Sequence, residues 1–319
     1  MTAKGKVISA HRGRGRNAAA IVSYIFTLGA LLASLFLSDE ISHAVKSSLS
    51  LCATVIIPSV FPFIILSDIL FHTVQFDGDG YIPRLFRRIF RISGNGVSAF
   101  MMGAVCGFPL GVKCTGELYR DGKISRSDAE KLIGFSNNTG PAFIVSGIGL
   151  GLRGNISDGI ILYAVMIASA VAVGIIFPSG KESKAAPLCT SNKEESFDLI
   201  DSIKNAALNT LYICAFLTFF APMCTFLRLL LGESTLYLSL IPFIEVGSAA
   251  SILSKTAVLS RSGSLALTAF AVCFSGFSVH LQAISFINNT DIRVGKYFLM
   301  KLSQGLIAAF AVYLICILK

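Results

Sequence analysis

Polar residues interrupt three otherwise apolar stretches of this sequence, and their chemistry suits the binding of a polar solute. The interruptions are residues 136–141, Glu245 and residues 275–282. Amide, hydroxyl and imidazole groups exchange hydrogen bonds with a ligand, and a carboxylate inside a membrane can serve an ion or proton pathway. The sequence contains no HExxH, no GxSxG, no phosphate-binding loop and no paired carboxylates within its apolar stretches. We therefore predict that the protein is not an enzyme.

Residues 136–141 are predicted to break a helix. Pro141 lacks an N–H donor and disfavours helical backbone at Gly140, which frees the carbonyl groups around Ser136 to Asn138. Inside a bilayer, unpaired backbone groups are tolerated only where protein or a water-filled cavity covers them. The favoured interpretation is a broken helix whose amides bind a polar solute. The alternative is a kink that its own Asn and Thr side chains satisfy.

Glu245 lies in a stretch in which Pro242 and Gly247 predict a second break. A carboxylate at that depth costs about 2.5 kcal/mol or more on insertion scales and usually marks a pathway or an ion site. Glu245 could couple transport to a proton or a sodium ion, or it could bind the solute. The alternative is a structural partner for a buried cation, for which Lys113 is a candidate. Lys113 could instead bind an anion or extend to the membrane interface.

Residues 275–282 place small residues next to His280 and Gln282 in a 29-residue run without Lys, Arg, Asp or Glu. In a continuous helix these two side chains would point in different directions, whereas a broken backbone would let both line one cavity. The alternative is that they link neighbouring helices. The predicted solute-binding residues are Gly107, Phe108, Pro109, Lys113, Ser136, Asn137, Asn138, Thr139, Gly140, Glu245, Ser275, Gly276, Ser278, His280 and Gln282.

These residues require a framework that spans a membrane. The sequence is 54% hydrophobic and 14% charged, well below the charged fraction of about a quarter in soluble domains. Most of its apolar runs reach the ~20 residues that a helix needs to cross a hydrocarbon core of ~30 Å. We predict an all-α, polytopic transmembrane helical bundle. The runs are residues 17–38, 47–67, 92–112, 132–152, 159–180, 205–227, 234–254 (interrupted by Glu245), 262–290 and 302–318.

Positive charges predict the orientation of the first runs. Five Lys and Arg residues precede residue 17 and place the N-terminus in the cytoplasm. If residues 92–112 cross the membrane, the Lys and Arg residues up to Lys204 divide ten to each face; if this run enters and returns, eighteen lie inside and two outside. The positive-inside rule favours the second arrangement, and the Gly residues and Pro109 disfavour a continuous helix. We predict a re-entrant hairpin.

A polar stretch at residues 179–204 predicts a cytoplasmic linker between two halves. The predicted divisions are an N-terminal tail and first span (1–38), a first half (39–178), the linker (179–204) and a second half (205–319). Residues 106–113 and 275–282 are weakly alike. Since the topology runs residues 47–67 inward and residues 205–227 outward, we predict an inverted repeat, which many secondary transporters share.

The net charge of +9 lies in loops, where it orients helices, so we predict no nucleic-acid partner. The eight cysteines form no CxxC pair, and we interpret them as small buried hydrophobic residues. We therefore predict neither a metal site nor a cofactor. The predicted partners are the lipid bilayer and a small-molecule solute. The coupling ion, the oligomeric state and the orientation of the last three runs are left open.

Several of these stretches resemble the YlbJ-type sporulation integral membrane proteins, which belong to the wider group with nucleoside-recognition, or Gate, domains. The resemblance runs in the same order from about Ser47 to the end of the chain. The chain departs from the family pattern at Gly140 and in its short central linker. The motifs are residues 58–63, 107–113, 135–141, 243–246, 275–282 and 290–293.

This resemblance implies a spore-forming bacterial source, a fold related to concentrative nucleoside transporters, and a place in the bacterial cell membrane, specifically the outer forespore membrane. It also implies passage of dipicolinate, a small planar dianion for which helix N-termini and Lys113, Asn137, Asn138, His280 and Gln282 are suitable partners. We therefore predict a transporter or facilitator of a small, polar, anionic solute. The alternatives are a structural or assembly protein of the sporulation membrane and a nucleoside-type transporter.

Overall fold

The regular structure within the described residues is helical. The computed structural model describes Tyr24, Leu28, Gly29, Leu31, Leu32 and residues 34–73, 80–180 and 198–318. The predicted N-terminal tail, most of the first span and residues 181–197 of the linker lie outside these residues. A π-helical turn (Cys52–Ile56) joins α1 to α2, and α7 is π-helical throughout. The helices within the described residues are α1 (Ser38–Leu51), α2 (Ile57–Thr73), α3 (Tyr81–Phe90), α4 (Gly96–Val105), α5 (Leu110–Arg120), α6 (Arg126–Ser136), α7 (Ala142–Leu152), α8 (Ile156–Ile176), α9 (Leu199–Leu231), α10 (Thr235–Ile244), α11 (Val246–Lys255), α12 (Arg261–Phe274), α13 (Gly276–Ile287) and α14 (Gly295–Ile317).

Five helical stretches of the described chain are long and apolar enough to cross a membrane. Large apolar side chains such as Phe219, Leu230 and Phe310 are exposed on these helices, as expected for surfaces that contact lipid. The prediction of an all-α, multi-pass helical membrane protein is confirmed. The five stretches are Ser38–Ile69, Ile156–Ile176, Leu199–Leu231, Arg261–Ile287 (α12 and α13 together) and Gly295–Ile317.

Short polar side chains begin many of these helices. Each accepts a hydrogen bond from a backbone N–H group in the first turn, which otherwise has no partner within the helix. Such a cap also explains where α9 begins. Asp198 accepts from Ile200 N at 2.8 Å, so α9 starts inside the segment 179–204 that was predicted to be linker. The capping residues are Ser125 for α6, Asn155 for α8, Asp198 for α9, Ser234 for α10 and Ser260 for α12.

Two of the predicted apolar runs are folded into pairs of short helices. The helices α4 and α5 form the first hairpin and run antiparallel, since Cys114 Sγ lies 3.9 Å from Ser98 Oγ and Gly103 faces Gly111. The helices α10 and α11 form the second hairpin, because they pack against each other on either side of Glu245. Helices of this length extend about 15 Å, which is half of a hydrocarbon core. That either hairpin enters and leaves the membrane on one face stays a prediction.

The hairpins correct two expectations. The run 234–254 was counted among the potential spans and is instead the second hairpin. The first hairpin continues beyond residue 112 to Arg120, which places Lys113 within α5 rather than at its end. The length of the apolar run could not distinguish the two structures, because a helical hairpin and a spanning helix both need about 20 apolar residues.

Two other runs form long helices, each interrupted once near its middle. The first broken helix consists of α6 and α7, which are separated by residues 137–141. The second consists of α12 and α13, which are separated by Ser275 in the left-handed conformation (φ 79°). The helix breaks predicted near Asn138 and Ser275 are therefore present.

Apart from α3, which has no counterpart in the second half, both halves have the same order of elements: a long helix, a hairpin, a broken helix and another long helix. Ion pairs near the ends of the helices define two faces of the bundle. On the linker face, Arg126 binds Asp291 at 2.9 Å; on the opposite face, Arg261 binds Asp158 at 2.7 Å. The first broken helix runs from the linker face to the opposite face, and the second runs back. The chain therefore traverses the two halves in opposite directions.

Candidate functional site

The first hairpin packs directly on the break of the first broken helix. A Cβ atom added to Gly103 or Gly111 would lie 1.6 or 2.1 Å from the carbonyl oxygen of Ser136, so neither position has room for a side chain. At the tip of this hairpin, Gly107 adopts a φ of 88°, and an added Cβ would lie 2.6 Å from Gly140 N. Glycine thus allows the hairpin backbone to contact the broken backbone of α6–α7.

The second hairpin makes the corresponding contact with the second broken helix. Gly276 has a φ of 67°, and a Cβ added there would lie 3.1 Å from the carbonyl oxygen of Ile244. The two breaks also meet each other, because Thr139 Oγ1 donates to the carbonyl oxygen of Val272 at 2.7 Å. Both hairpin tips and both breaks therefore converge at one place in the bundle.

A small cavity of about 30 Å³, enough for about one water molecule, lies where these four elements meet. Its wall is mainly apolar, with a small number of polar groups, as is usual for a small-molecule site. Apolar side chains of the wall include Ile56, Val60, Phe63, Phe143, Ile213 and Leu217. The predicted site residues that line the cavity are Gly107, Phe108, Thr139, Gly140, Glu245, Ser278 and Gln282.

Glu245 lines this cavity and caps α11 at the same time. Its Oε1 atom accepts from Gly247 N at 2.8 Å, and its Oε2 atom accepts from Ser248 N. The residue is 3% exposed, and its charge faces the positive end of the α11 dipole. The helix N-terminus therefore balances the carboxylate. Lys113, the partner considered from the sequence, does not line the cavity.

Two polar atoms of the cavity wall have no hydrogen-bond partner. They are Ser278 Oγ and Gln282 Oε1, and both residues are at most 3% exposed. They lie four residues apart on α13 and so share one face of that helix. An unpaired buried polar atom costs about 1–3 kcal/mol, which indicates a place where a ligand or water completes the hydrogen bonding.

His280 points to a different side of α13. Its Nδ1 atom lies 2.7 Å from Tyr297 Oη, which also accepts from Asn137 Nδ2 at 2.8 Å. The imidazole ring packs edge-on against Phe274 and Tyr297. The idea that a broken backbone brings His280 and Gln282 into one cavity is therefore wrong, because α13 is a regular helix from Gly276 onward.

Side chains of α14 complete the first break from behind the cavity. Lys301 Nζ donates to the carbonyl oxygen of Asn137 at 2.7 Å and to Gln304 Oε1 at 2.8 Å. Gln304 Nε2 donates to Asn138 Oδ1 at 3.0 Å, while Asn138 Nδ2 donates to the carbonyl oxygen of Phe135 at 2.7 Å. Asn138, as the alternative interpretation expected, and side chains of α14 thus satisfy part of the break, whereas Asn137 Oδ1 has no hydrogen-bond partner among the described residues.

The remaining predicted site residues surround the cavity rather than line it. They lie in the hairpin tip, in the breaks or behind them, where they shape the backbone that the cavity exposes. Their role as solute ligands stays a prediction. These residues are Pro109, Lys113, Ser136, Asn137, Asn138, Ser275, Gly276 and His280.

Tyr297, Lys301 and Gln304 are not among the residues predicted from the sequence. A signal was present, because a span that ends near Ile317 and is about 20 residues long must include Lys301. Lys301 and Gln304 are three residues apart and therefore share a face of that helix. Both side chains have 0% exposure.

Within residues 34–73, 80–180 and 198–318, no group of three or more His, Cys, Asp or Glu side chains is arranged to hold a metal ion. The polar groups at the cavity are instead hydroxyl, amide, carboxylate and backbone groups, which suit hydrogen bonding to an organic solute.

Fold and site together define a polytopic helical membrane protein with a buried cavity between two hairpins and two broken helices. The chain is 30% identical over 337 residues to the sporulation integral membrane protein YlbJ of Bacillus subtilis (strain 168), and the match covers 89% of this chain and 82% of that relative. The chain therefore belongs to the YlbJ family of sporulation integral membrane proteins. No family model and no solved structure matches it. It is accordingly a membrane protein with a role in sporulation.

Proposed function

We propose that the protein is a transporter or facilitator of a small polar solute that binds in the cavity. The observation that carries this proposal is the convergence of both hairpin tips and both breaks on a cavity in which Ser278 Oγ and Gln282 Oε1 lack partners. Discontinuous helices that meet at a central cavity are the usual arrangement of a solute site in secondary transporters.

The helix ends at the cavity favour an anionic solute. Four helices begin there: α5, α7, α11 and α13. Glu245 caps α11, whereas no side chain caps the other three. Free N–H groups at a helix N-terminus bind carboxylates. A planar aromatic dicarboxylate such as dipicolinate, which the family resemblance implies, would lie with its ring against the apolar wall once the hairpin tips move apart to enlarge the cavity. Its oxygen atoms would accept from the Ser278 hydroxyl group and from the amide N–H groups of Gln282, while Gln282 Oε1, which only accepts, would bind a water molecule.

The position of Glu245 suggests which ion is coupled to the movement of the solute. An ionised carboxylate in the cavity wall would repel a bound anion, because the two charges would share a site of low dielectric. A proton on Glu245 removes that repulsion. We therefore propose that the anion and a proton bind together, with Glu245 as the proton carrier.

The charges of the linker face support an orientation in the membrane. Arg126, Arg293 and Lys296 lie there, next to the start of the basic linker. The positive-inside rule assigns this face to the cytoplasm. The N-terminus would then be cytoplasmic, and α14 would run outward. The family resemblance implies the outer forespore membrane as the location.

Uptake by vesicles that carry the purified protein tests the proposal. Labelled dipicolinate and a labelled nucleoside are supplied separately, with an imposed proton or sodium gradient. We expect proton-driven uptake of dipicolinate, and a loss of about tenfold in Gln282→Leu, because one charge-assisted hydrogen bond contributes about 1.5–3 kcal/mol. Ser285→Ala, on the same helix but away from the cavity, should behave like wild type.

The other outcomes of this assay separate the alternatives. Uptake of the nucleoside without dipicolinate would indicate a nucleoside-type transporter. Vesicles that take up neither solute, with protein that is folded and correctly inserted, would reject transport of these solutes and favour an assembly role in the sporulation membrane.

A further inference from the structure

A buried lysine side chain contacts the first break and is not used by the proposed transport step. Lys301 has 0% exposure and lies in α14, which is long and apolar enough to span the membrane. A lysine at such a depth is unfavourable unless a specific partner holds it. Its partners are the carbonyl oxygen of Asn137 and Gln304 Oε1, at 2.7 and 2.8 Å. Both acceptors are uncharged oxygen atoms, like the ligands of an alkali cation.

The Lys301 amine lies next to the end of α6, where backbone carbonyl oxygen atoms have no partner within the helix. The helix α6 ends at Ser136, so the carbonyl group of Asn137 lies just beyond the negative end of the α6 dipole. Such helix C-termini and unwound carbonyl groups are the places where secondary transporters coordinate sodium ions. In this chain, the Nζ atom is already in hydrogen-bond contact with that carbonyl oxygen.

The second break is different. There, the carbonyl oxygen of Val272 receives the hydroxyl groups of Thr139 and Ser275, at 2.7 and 3.4 Å. These are neutral donors. The otherwise similar halves are therefore unequal at this point, because the first break is closed by an amine and the second by hydroxyl groups.

We propose that Lys301 is a tethered cation, whose ammonium group fills the cation site at the end of α6 so that no sodium ion binds at the first break. Lys301 is then a positioning residue, since it fixes the Asn137–Gly140 backbone that borders the cavity. As a consequence that rests on the proposed function, coupling would depend on the proton at Glu245 and not on sodium.

Chemical rescue tests this proposal without any transport assay. The melting temperatures of wild type, Lys301→Ala and Met300→Ala are measured in choline chloride and after its replacement by ammonium, methylammonium or sodium chloride at equal ionic strength. Met300→Ala is the matched control, because Met300 is a neighbouring long side chain with 0% exposure that packs on Gly134 and lies near no freed carbonyl group in the observed contacts.

We expect the added cations to raise the melting temperature of Lys301→Ala by about 2–4 °C, as for a ligand that contributes about 1 kcal/mol to the folded state, and to leave wild type and Met300→Ala unchanged. An equal response of all three proteins, or no response of Lys301→Ala, would overturn the proposal.

A second variant covers the case in which Lys301→Ala does not fold. Lys301→Ser opens the same space but keeps a hydroxyl group beside the carbonyl oxygen, and we expect the same selective response to cations. An independent experiment measures the binding of radioactive sodium to the wild-type protein and to Lys301→Ser. Saturable sodium binding that is equally strong in wild type and in the Ser variant would contradict a site that Lys301 already fills, whereas binding that is gained only in the variant supports it.

Discussion

Glu245→Gln is expected to abolish proton-driven accumulation of the solute while leaving the protein folded in the membrane. Glutamine has nearly the shape of a protonated glutamate, and its single side-chain oxygen can still accept from Gly247 N, as Glu245 Oε1 does at 2.8 Å, while the bond that Glu245 Oε2 accepts from Ser248 N is lost. It cannot release a proton. The variant should therefore still bind the solute but should no longer link its movement to the pH gradient.

The size of this effect follows from the gradient. One pH unit corresponds to 1.36 kcal/mol per proton, so a difference of two units supports an accumulation of about 100-fold when one proton moves with each solute molecule. With the membrane potential held at zero, we expect wild type to approach this ratio and Glu245→Gln to equalise the two sides. The measurement is the steady-state ratio of internal to external labelled dipicolinate.

A matched control is available at Glu233, which is 72% exposed and lies 3.9 Å from Arg228 on the face opposite the linker. Glu233→Gln removes the same charge from the protein without touching the cavity and should accumulate solute as wild type does. Wild-type accumulation by Glu245→Gln would show that Glu245 does not carry the coupled proton.

Gly103→Ala is expected to cause the largest loss of stability, because it separates the first hairpin from the first break. The added Cβ would lie 1.6 Å from the carbonyl oxygen of Ser136, a backbone atom that cannot move aside as a flexible side chain could. Overpacking of this kind costs typically about 1–3 kcal/mol and sometimes more. Since the better helix propensity of alanine offsets only about 1 kcal/mol, we expect a net loss of folded protein.

The measurement is the melting temperature of the purified protein together with its abundance in the membrane. Because the clash is with a backbone atom, we take the upper end of the overpacking cost, which leaves a net loss of about 2 kcal/mol after the helix propensity of alanine is subtracted. We expect a decrease of about 4–8 °C for that loss. Gly295→Ala serves as the control, because Gly295 also lies in a helix, and an added Cβ there meets no atom within 4 Å. A Gly103→Ala protein as stable as Gly295→Ala would mean that the hairpin does not pack on Ser136 as the structure has it.

Local chemistry in the sequence predicted the helices and the positions at which they break. Pro141 and Gly140 disfavour helix whatever surrounds them, so the break between α6 and α7 could be found without tertiary information. Ser275 takes a left-handed conformation next to Gly276, where small residues allow close backbone contact. These conformational preferences depend only on neighbouring residues in the sequence, so the helix breaks form wherever the helices pack.

What the sequence could not predict depends on how each helix is rotated and where it packs. His280 and Gln282 are equally polar, yet Gln282 faces the cavity and His280 contacts Tyr297, because neighbours of α13 fix its rotation. Likewise, apolar length alone could not distinguish the second hairpin from a span. The role of Lys301 became visible only once α14 was placed beside the Asn137 carbonyl group.

The central claim is that the solute occupies the cavity between the hairpin tips and the broken helices, and site-directed labelling of α13 tests it most directly. In a variant in which the eight native cysteines are replaced, Ser278→Cys introduces one thiol into the cavity wall, and Ser285→Cys introduces one away from it. The rate of reaction with a small membrane-permeant thiol reagent is measured with and without dipicolinate.

At a dipicolinate concentration of about ten times the dissociation constant, roughly one site in eleven is empty, so the thiol of Ser278→Cys should react about tenfold more slowly while that of Ser285→Cys is unaffected. Equal protection of both thiols, or none at Ser278→Cys under conditions in which the protein takes up dipicolinate, would contradict the claim that this cavity is the solute site.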